Sequence, residues 1–564
     1  MTLRHRPHRV LFVPLDDRPC NAKAPRLLAQ LVDYELVSPP AETLGRFREP
    51  GHADQICEWL RNHVDTSLDC VILSLDMVSY GGLWASRTSA TRTQLAQERL
   101  NVLAQVRSAC PNATIYAFGT VPRLGTVTSS DEAALYLSHL VRYSVLAGRV
   151  AEKEQADERS RLSAIERHIP PSVLGEYLAV RGRNQEINLR AIREVSEGNL
   201  DFLVLGQDTA APEGLHRQEQ AALREEAVKQ GVSDRVMLVP GADELGVCLL
   251  ARFVHEHMNK VPTVRVMSTA DADDVQVAPG EDRPFTQSLA AHIRLVGAQV
   301  ADSADKKPDM VLAVNSPTPY GPSELRDPAV ARLHRERARA FVSRAVEAAA
   351  GRGLAVCDAA FTNGADDLFV QELLSATGQV PQLLAYAGCN TASNSAGAAL
   401  AHSSLRLISL QDKGAFDLAH VVGDLSTLRY LSLLDALISC ERAHIRLLMT
   451  RFAEDWLYQA RLRPRLAEHV CSGLRDGVFD LAHSYHQAEE IMRDGLTSAV
   501  SDLWIDQFLG RPCVSVGSDV ADDVKSTVVL AELEETRLSL PWRRLFEIDV
   551  DLEFGVQLVA PGNA

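Results

Sequence analysis

The sequence predicts an α/β fold with two doubly wound parallel-sheet units. A mainly helical C-terminal region follows and ends in a small antiparallel strand pair. Three observations carry this reading. Short apolar runs recur along the chain, as in Val10-Leu11-Phe12-Val13. They are too brief for helices and lack polar alternation, which suits strands covered on both faces. Amphipathic helical stretches separate them, the pattern of right-handed crossovers. Finally, run after run ends in acids, amides and glycines, and ligands bind at that edge of parallel sheets and barrels.

Taken in order, residues 1–255 form the first α/β domain. Its strands are expected at Arg9–Leu15, Tyr34–Ser38, Cys70–Leu75, Thr114–Phe118, Phe202–Gly206 and Val236–Pro240. Helices are expected at Ala53–Val64 and Arg92–Ser108. The gap from about 128 to 198 is too long for one crossover. Its polar, helix-favouring stretches Ala151–Arg167 and Ser172–Glu197 read as a helical insertion, a lid or an oligomer arm. Residues 256–411 form a second Rossmann-like domain. Its strands are expected at Thr263–Ser268, Met310–Asn315, Leu354–Asp358, Gln382–Ala387 and Leu405–Ser409. Its helices fit Phe285–Val296, Ala329–Ala350 and Asp366–Ala376. A closed eight-stranded barrel through residue 315 is the rival, ranked lower because strand signals continue to 409 at the same spacing. Residues 412–564 turn helical, at His420–Ile445, Arg451–Gln459 and Gln487–Phe508. They end in alternating runs at Ser526–Leu533 and Leu545–Leu558, an antiparallel pair.

Composition narrows the function classes. The chain has 564 residues and a formal net charge of -16. That balance argues against a nucleic-acid partner, which needs a basic face, and against an anionic membrane surface. No apolar run reaches the roughly 18 to 20 residues that span a bilayer. The basic start runs into Asp16-Asp17 too soon for a signal peptide, so the expected compartment is the cytoplasm. The ten cysteines are scattered, with no C-x-x-C and no zinc spacing, and read as reduced fillers. The histidines are dispersed as well.

The chemistry gathers at the expected strand ends. After the first strand come Asp16, Asp17, Arg18 and Asn21; after the third come Asp76, Tyr80, Gly81-Gly82 and Arg87. After the fifth comes Gln207-Asp208, and after the sixth Asp243-Glu244. Any single aspartate here reads equally well as a helix cap, worth about 1 kcal/mol. Acids from four strands on one edge are harder to explain that way, because clustered carboxylates repel and split their pKa values. The second domain adds Asp358, Asn363, Asn390, Thr391 and Asn394, the last three entering a helix whose N-terminal amides suit anions or hydroxyls.

In combination, Pro14-Leu15-Asp16-Asp17-Arg18-Pro19-Cys20-Asn21, Asp76 with Tyr80-Gly81-Gly82-Leu83 and Arg87, Gly206-Gln207-Asp208, Gly241-Ala242-Asp243-Glu244, Asn363-Gly364 and Gly388-Cys389-Asn390-Thr391 resemble the bacterial family called domain of unknown function 4127 (DUF4127). The resemblance runs over most of the chain in one order. It departs at Cys389, where the family carries tryptophan, and at Thr209, where it carries a second acid. It implies identity and no reaction.

Paired carboxylates without a cofactor motif point to a carbohydrate-active hydrolase, a glycosidase, which needs one carboxyl as acid and another as base or nucleophile. The expected pair is Asp76 and Asp208. Asp16, Asp17, Arg18, Asn21, Tyr80, Arg87, Asp243 and Glu244 would bind hydroxyls or tune the pair. Asn363, Asn390, Thr391 and Asn394 would add contacts from the second domain. One alternative is a sugar isomerase or hydrolase using Mg2+ or Mn2+ on oxygen ligands. Another is a non-catalytic sugar-binding protein. The expected partner is a small carbohydrate, with a homo-oligomer open.

Overall fold

The computed structural model describes residues 8–125, 135–152, 156–270, 275–301, 307–318, 320–413, 426–470, 480–516 and 526–559. The start of the expected insertion, the first residues of the helix expected from His420, and Cys471 lie outside them. The chain forms two compact units. The first comprises Met1–Pro25, Glu35–Phe253 and Val275–Leu295; the second comprises Arg26–Tyr34, Val254–Asp274 and Val296–Ala564.

In the first unit six parallel strands line up: β1 (Arg9–Val13), β2 (Glu35–Val37), β3 (Cys70–Ser74), β4 (Thr114–Val121), β5 (Phe202–Gln207) and β6 (Val236–Pro240). Their order across the sheet is β2-β1-β3-β4-β5-β6. Apolar side chains of β1 and β3 are wholly buried, which explains the unbroken apolar runs. The helix expected at Arg92–Ser108 is two helices, Thr93–Leu100 and Val102–Ala109, meeting at Asn101. The insertion holds helices Leu137–Glu152, Ala156–Glu166 and Pro171–Ser196. It has a small core of its own, in which Leu140, Ile165, Val173 and Tyr177 pack together. The far half of Pro171–Ser196 rejoins the main core through Ile187, Ala191 and Val195.

The second unit has β7 (Thr263–Ser268), β8 (Gln299–Val300), β9 (Met310–Asn315), β10 (Gly353–Asp358) and β11 (Ala385–Ala387), ordered β11-β10-β9-β7-β8. Both sheets are open, so the barrel rival falls. One strand expectation is corrected. Leu405–Ser409 lies inside a helix, Ala392–Lys413, and the fifth strand is the short β8. A brief apolar run cannot separate a buried helix segment from a strand. Here Ser403-Ser404 and Ser409 face neighbours as buried small groups on a helix already begun at Ala392.

Described residues of the C-terminal region share a core with the second sheet. Val356 and Phe369 join Leu448, Phe452, Met492, Trp504 and Val550 in one apolar cluster. The helix Ser426–Arg451 runs on into Phe452–Leu462, an eleven-residue π-helical segment where a plain helix is expected. The terminal pair gains a partner: β12 (Pro512–Val516), β13 (Ser526–Ser539) and β14 (Asp549–Val559) form a three-stranded antiparallel sheet. Among the described residues, no helix is long and apolar enough to cross a membrane, and every cysteine is a free thiol.

Candidate active site

Strand order says where a ligand crevice opens. The first sheet winds outward in both directions from the boundary between β1 and β3. Loops leaving those two strands diverge, and the gap between them is where open α/β sheets bind ligands. Asp16 follows β1 and Asp76 follows β3, so both stand at that boundary.

The loop after β1 is fixed by charge. Arg18 Nη2 donates to Asp16 Oδ2 at 2.7 Å and to Asp243 Oδ1 at 2.5 Å, while its Nε bonds both Asp16 oxygens at 3.0 Å. Asn21 Nδ2 donates to Asp16 Oδ1 at 2.8 Å. Burial alone would loosen Arg18's hold on its proton, but Asp16 and Asp243 more than reverse this and keep it charged. Asp243 stands just before the helix that follows β6, Leu245–His257. A Cβ at Gly246 would stand 2.8 Å from the Phe12 ring, so glycine permits that close approach. Glu244 points away from this group. It bonds His292 Nε2 at 2.9 Å and accepts from the Ala242 amide, which pins its own loop. Asp17 is half-buried, and its amide donates to the Gly45 carbonyl.

Asp76 sits in the first turn of the helix Leu75–Tyr80, three per cent exposed. Its carboxylate accepts from the Thr120 amide at 2.9 Å and the Thr120 hydroxyl at 3.0 Å. Burial pushes Asp76 up to about 6, against the pull of Thr120 and Ser86 and with the help of the charge on Asp208. Asp208 stands on the other side of the β4 end, where its amide donates to Val121 O. Burial would raise it too. The guanidinium of Arg87, 2.5 Å from Oδ2, together with Arg123 and the Thr209 amide, outweighs that and holds Asp208 below the ordinary carboxylate range. Arg87 Nε is buried with no hydrogen-bond partner among the described residues, a donor left open at this pair.

Tyr80 is packed rather than displayed. It is four per cent exposed, with the Arg183 guanidinium 4.3 Å from its ring centre. Gly81 and Gly82 hold this corner: Gly81 has φ +93°, and a Cβ there would meet the Gly51 carbonyl at 2.4 Å. Thr120 and Ser86 fall in the polar stretches after the expected fourth and third strands with no role marked for them, and His292 carries no local signal. Thr120 lies within an apolar strand, and only the pairing of β3 with β4 brings it to Asp76.

Asn363, Asn390, Thr391 and Asn394 belong to the second unit. Asn363 and Asn390 have left-handed backbones, and the Asn363 amide donates to Asn390 O at 2.9 Å. Thr391 caps its helix, accepting from the Asn394 amide at 3.3 Å. Asn394 Oδ1 is buried without a hydrogen-bond partner among the described residues. Around them is a polar group that the sequence reading did not assemble. Asn315 Nδ2 donates to Asp358 and Asp366, and Asp366 meets His334 Nε2 at 2.5 Å. Burial, then the charge of Asp366, pushes Asp358 up to about 8. On the π-helical segment burial and Asp455 push Glu454 to about 8, while Asp455 accepts from the Gly388 amide. His334 lies mid-helix with no local motif to mark it, and only the fold brings it to Asp366.

A family model described as "Protein of unknown function (DUF4127)" matches residues 10–551. No curated protein matches the chain. Among solved structures, the carboxyl transferase domain of Rhizobium etli pyruvate carboxylase with pyruvate is similar at 9% identity, covering 99% of this chain and 89% of that one, with a TM-score of 0.15. The complete multifunctional pyruvate carboxylase from the same organism aligns at 8% identity over 98% of this chain and 52% of that one, with a TM-score of 0.16. At such scores the likeness carries no argument.

Proposed function

The chain belongs to the DUF4127 family, whose description leaves the reaction open, and we propose that it is a carbohydrate-active hydrolase, a glycosidase working through Asp76 and Asp208. One observation carries the reading: two buried carboxylates flank the end of β4 beside the crevice between β1 and β3, and their surroundings drive them apart. Asp76 is pushed up to about 6 and Asp208 is held low. Carboxyls separated in this way supply an acid and a permanent anion from one pair.

In this reading Asp76 gives its proton to the glycosidic oxygen as the bond to the sugar carbon breaks. Asp208 stays charged and faces the positive charge that grows on the ring. Water then adds its oxygen to that sugar carbon and gives a proton to the Asp76 carboxylate, which restores the acid. Arg87, with its open Nε, and the Asp16–Arg18–Asp243 group meet the sugar hydroxyls. Glu244 and Tyr80 support the walls. Arg18 and Arg87 already neutralise the neighbouring acids, which favours the two-acid reading over Mg2+ or Mn2+ at these oxygens. The reading calls for no cofactor and for a small carbohydrate substrate in the cytoplasm.

A panel of nitrophenyl glycosides tests it. We expect release from at least one sugar, and loss of about 10²-fold or more in turnover for Asp76→Asn and for Asp208→Asn. Asp76→Asn should keep its thermal midpoint, whereas Asp208→Asn, which takes the buried carboxylate from Arg87, should lower it while the chain stays folded at assay temperature. No release from any member of the panel, with or without added Mg2+ or Mn2+, would overturn it.

A further inference from the structure

We propose that the second unit holds a separate nucleophile site, a hydroxyl–imidazole–carboxylate triad of Tyr320, His334 and Asp366, that cleaves small carboxylic esters. It lies outside the glycosidase reading and does not depend on it.

The geometry is a graded chain from surface to interior. Tyr320 is partly exposed, His334 is seven per cent exposed and Asp366 is wholly buried. Tyr320 Oη stands 2.7 Å from His334 Nδ1, and His334 Nε2 stands 2.5 Å from Asp366 Oδ2. A carboxylate accepts only, so Nε2 must carry its proton. In the neutral ring Nδ1 is then a bare lone pair facing the tyrosine hydroxyl. That is the tautomer a general base needs, set by a third group, which is the triad logic in its general form.

Each member is fixed by something other than its triad partner. Asp366 Oδ1 caps the helix Asp367–Thr377 by accepting from the amides of Leu368 and Phe369. Asn315 Nδ2 donates to the same Oδ2 that meets His334, at 3.2 Å. His334 rides on the helix Pro328–Ala348. The backbone of Tyr320 is held by the Thr318 hydroxyl, which donates to its carbonyl at 2.6 Å. The two rings meet nearly at right angles, 5.7 Å between centres. The site also stands where this sheet opens. Its order mirrors that of the first sheet, with the winding reversing between β7 and β9. Asn315 ends β9, and Tyr320 lies on the loop that follows.

The solvent end of this network is a hydroxyl, 2.7 Å from the histidine nitrogen. The chemistry that uses one balances as follows. Tyr320 Oη bonds to the ester carbonyl carbon while its proton passes to His334 Nδ1. Collapse of the adduct breaks the bond to the alcohol oxygen, which leaves with that proton. Water, losing a proton to the same nitrogen, then cleaves the acyl-tyrosine and restores both side chains.

The probe is p-nitrophenyl acetate with the full chain. We expect nitrophenol release, a fall of about 10²-fold or more in Tyr320→Phe and in His334→Gln, and, after acid quench and digestion, an acetyl group on Tyr320. Tyr320→Phe keeps the ring and its packing, so it decides alone if His334→Gln does not fold. Release by Tyr320→Phe at the wild-type rate, no release by the wild type, or an acetyl group only on other residues would each overturn the proposal.

Discussion

Asp76 is held by a balance that one neighbour can tip. Thr120 gives it two hydrogen bonds that favour the charged form, against a burial penalty that favours the neutral one. As the acid, Asp76 must be protonated, so kcat/KM should fall as pH rises through about 6. On the other side it should fall only below the ordinary carboxylate range, where Asp208 takes up a proton. Thr120→Val removes a donor to the carboxylate and should move the alkaline limb to higher pH, leaving the acid limb in place. A pH profile of kcat/KM on the free enzyme reads both. The acids themselves were legible from sequence because they follow apolar runs. What they touch was not, since Thr120, Arg87 and Asp243 lie far along the chain from the groups they meet.

Elements are joined by charge as well as by apolar packing. The helices Ala392–Lys413 and Ser426–Arg451 share a buried bidentate pair, with Arg406 Nη1 2.5 Å from Glu441 Oε1 and Nη2 2.7 Å from Oε2. Both side chains are at most two per cent exposed. Arg406→Met should cost about 3–5 kcal/mol by taking the guanidinium away from a buried carboxylate. Arg406→Met with Glu441→Leu should recover most of it, as urea midpoints will show. Strand runs and helix runs were readable because their periods differ, and most strands lie within a residue or two of expectation. The apolar stretch 405–409 was not, because Arg406 reads as a polar break in a strand while serving as a buried ion inside a helix. The π-helical turn Phe452–Leu462 had no period of its own to read.

At the scale of the whole molecule, burial in the second unit favours the protonated form of two acids. Asp358 and Glu454 are raised to about 8 by burial first and by a neighbouring acid second. Their unfolded values are near 4. Between those limits the folded chain binds more protons than the unfolded one, so stability falls as pH rises through the window. The urea midpoint of the second unit should be lower at pH 9 than at pH 6, and Glu454→Gln should shrink that difference. Two doubly wound sheets were predictable from the alternation of runs. Their boundaries were not, because the chain passes between the units at residues 25, 34, 253, 274 and 295.

That route has a practical meaning for anyone wanting to cut the polypeptide. A fragment stopping at residue 255 has every strand of the first sheet yet lacks Val275–Leu295, and with it His292, the mate of Glu244. Such a piece should melt broadly or not at all by circular dichroism. Adding residues up to 295 should restore a single sharp transition. Excision here must follow the winding of the backbone rather than the tally of strands.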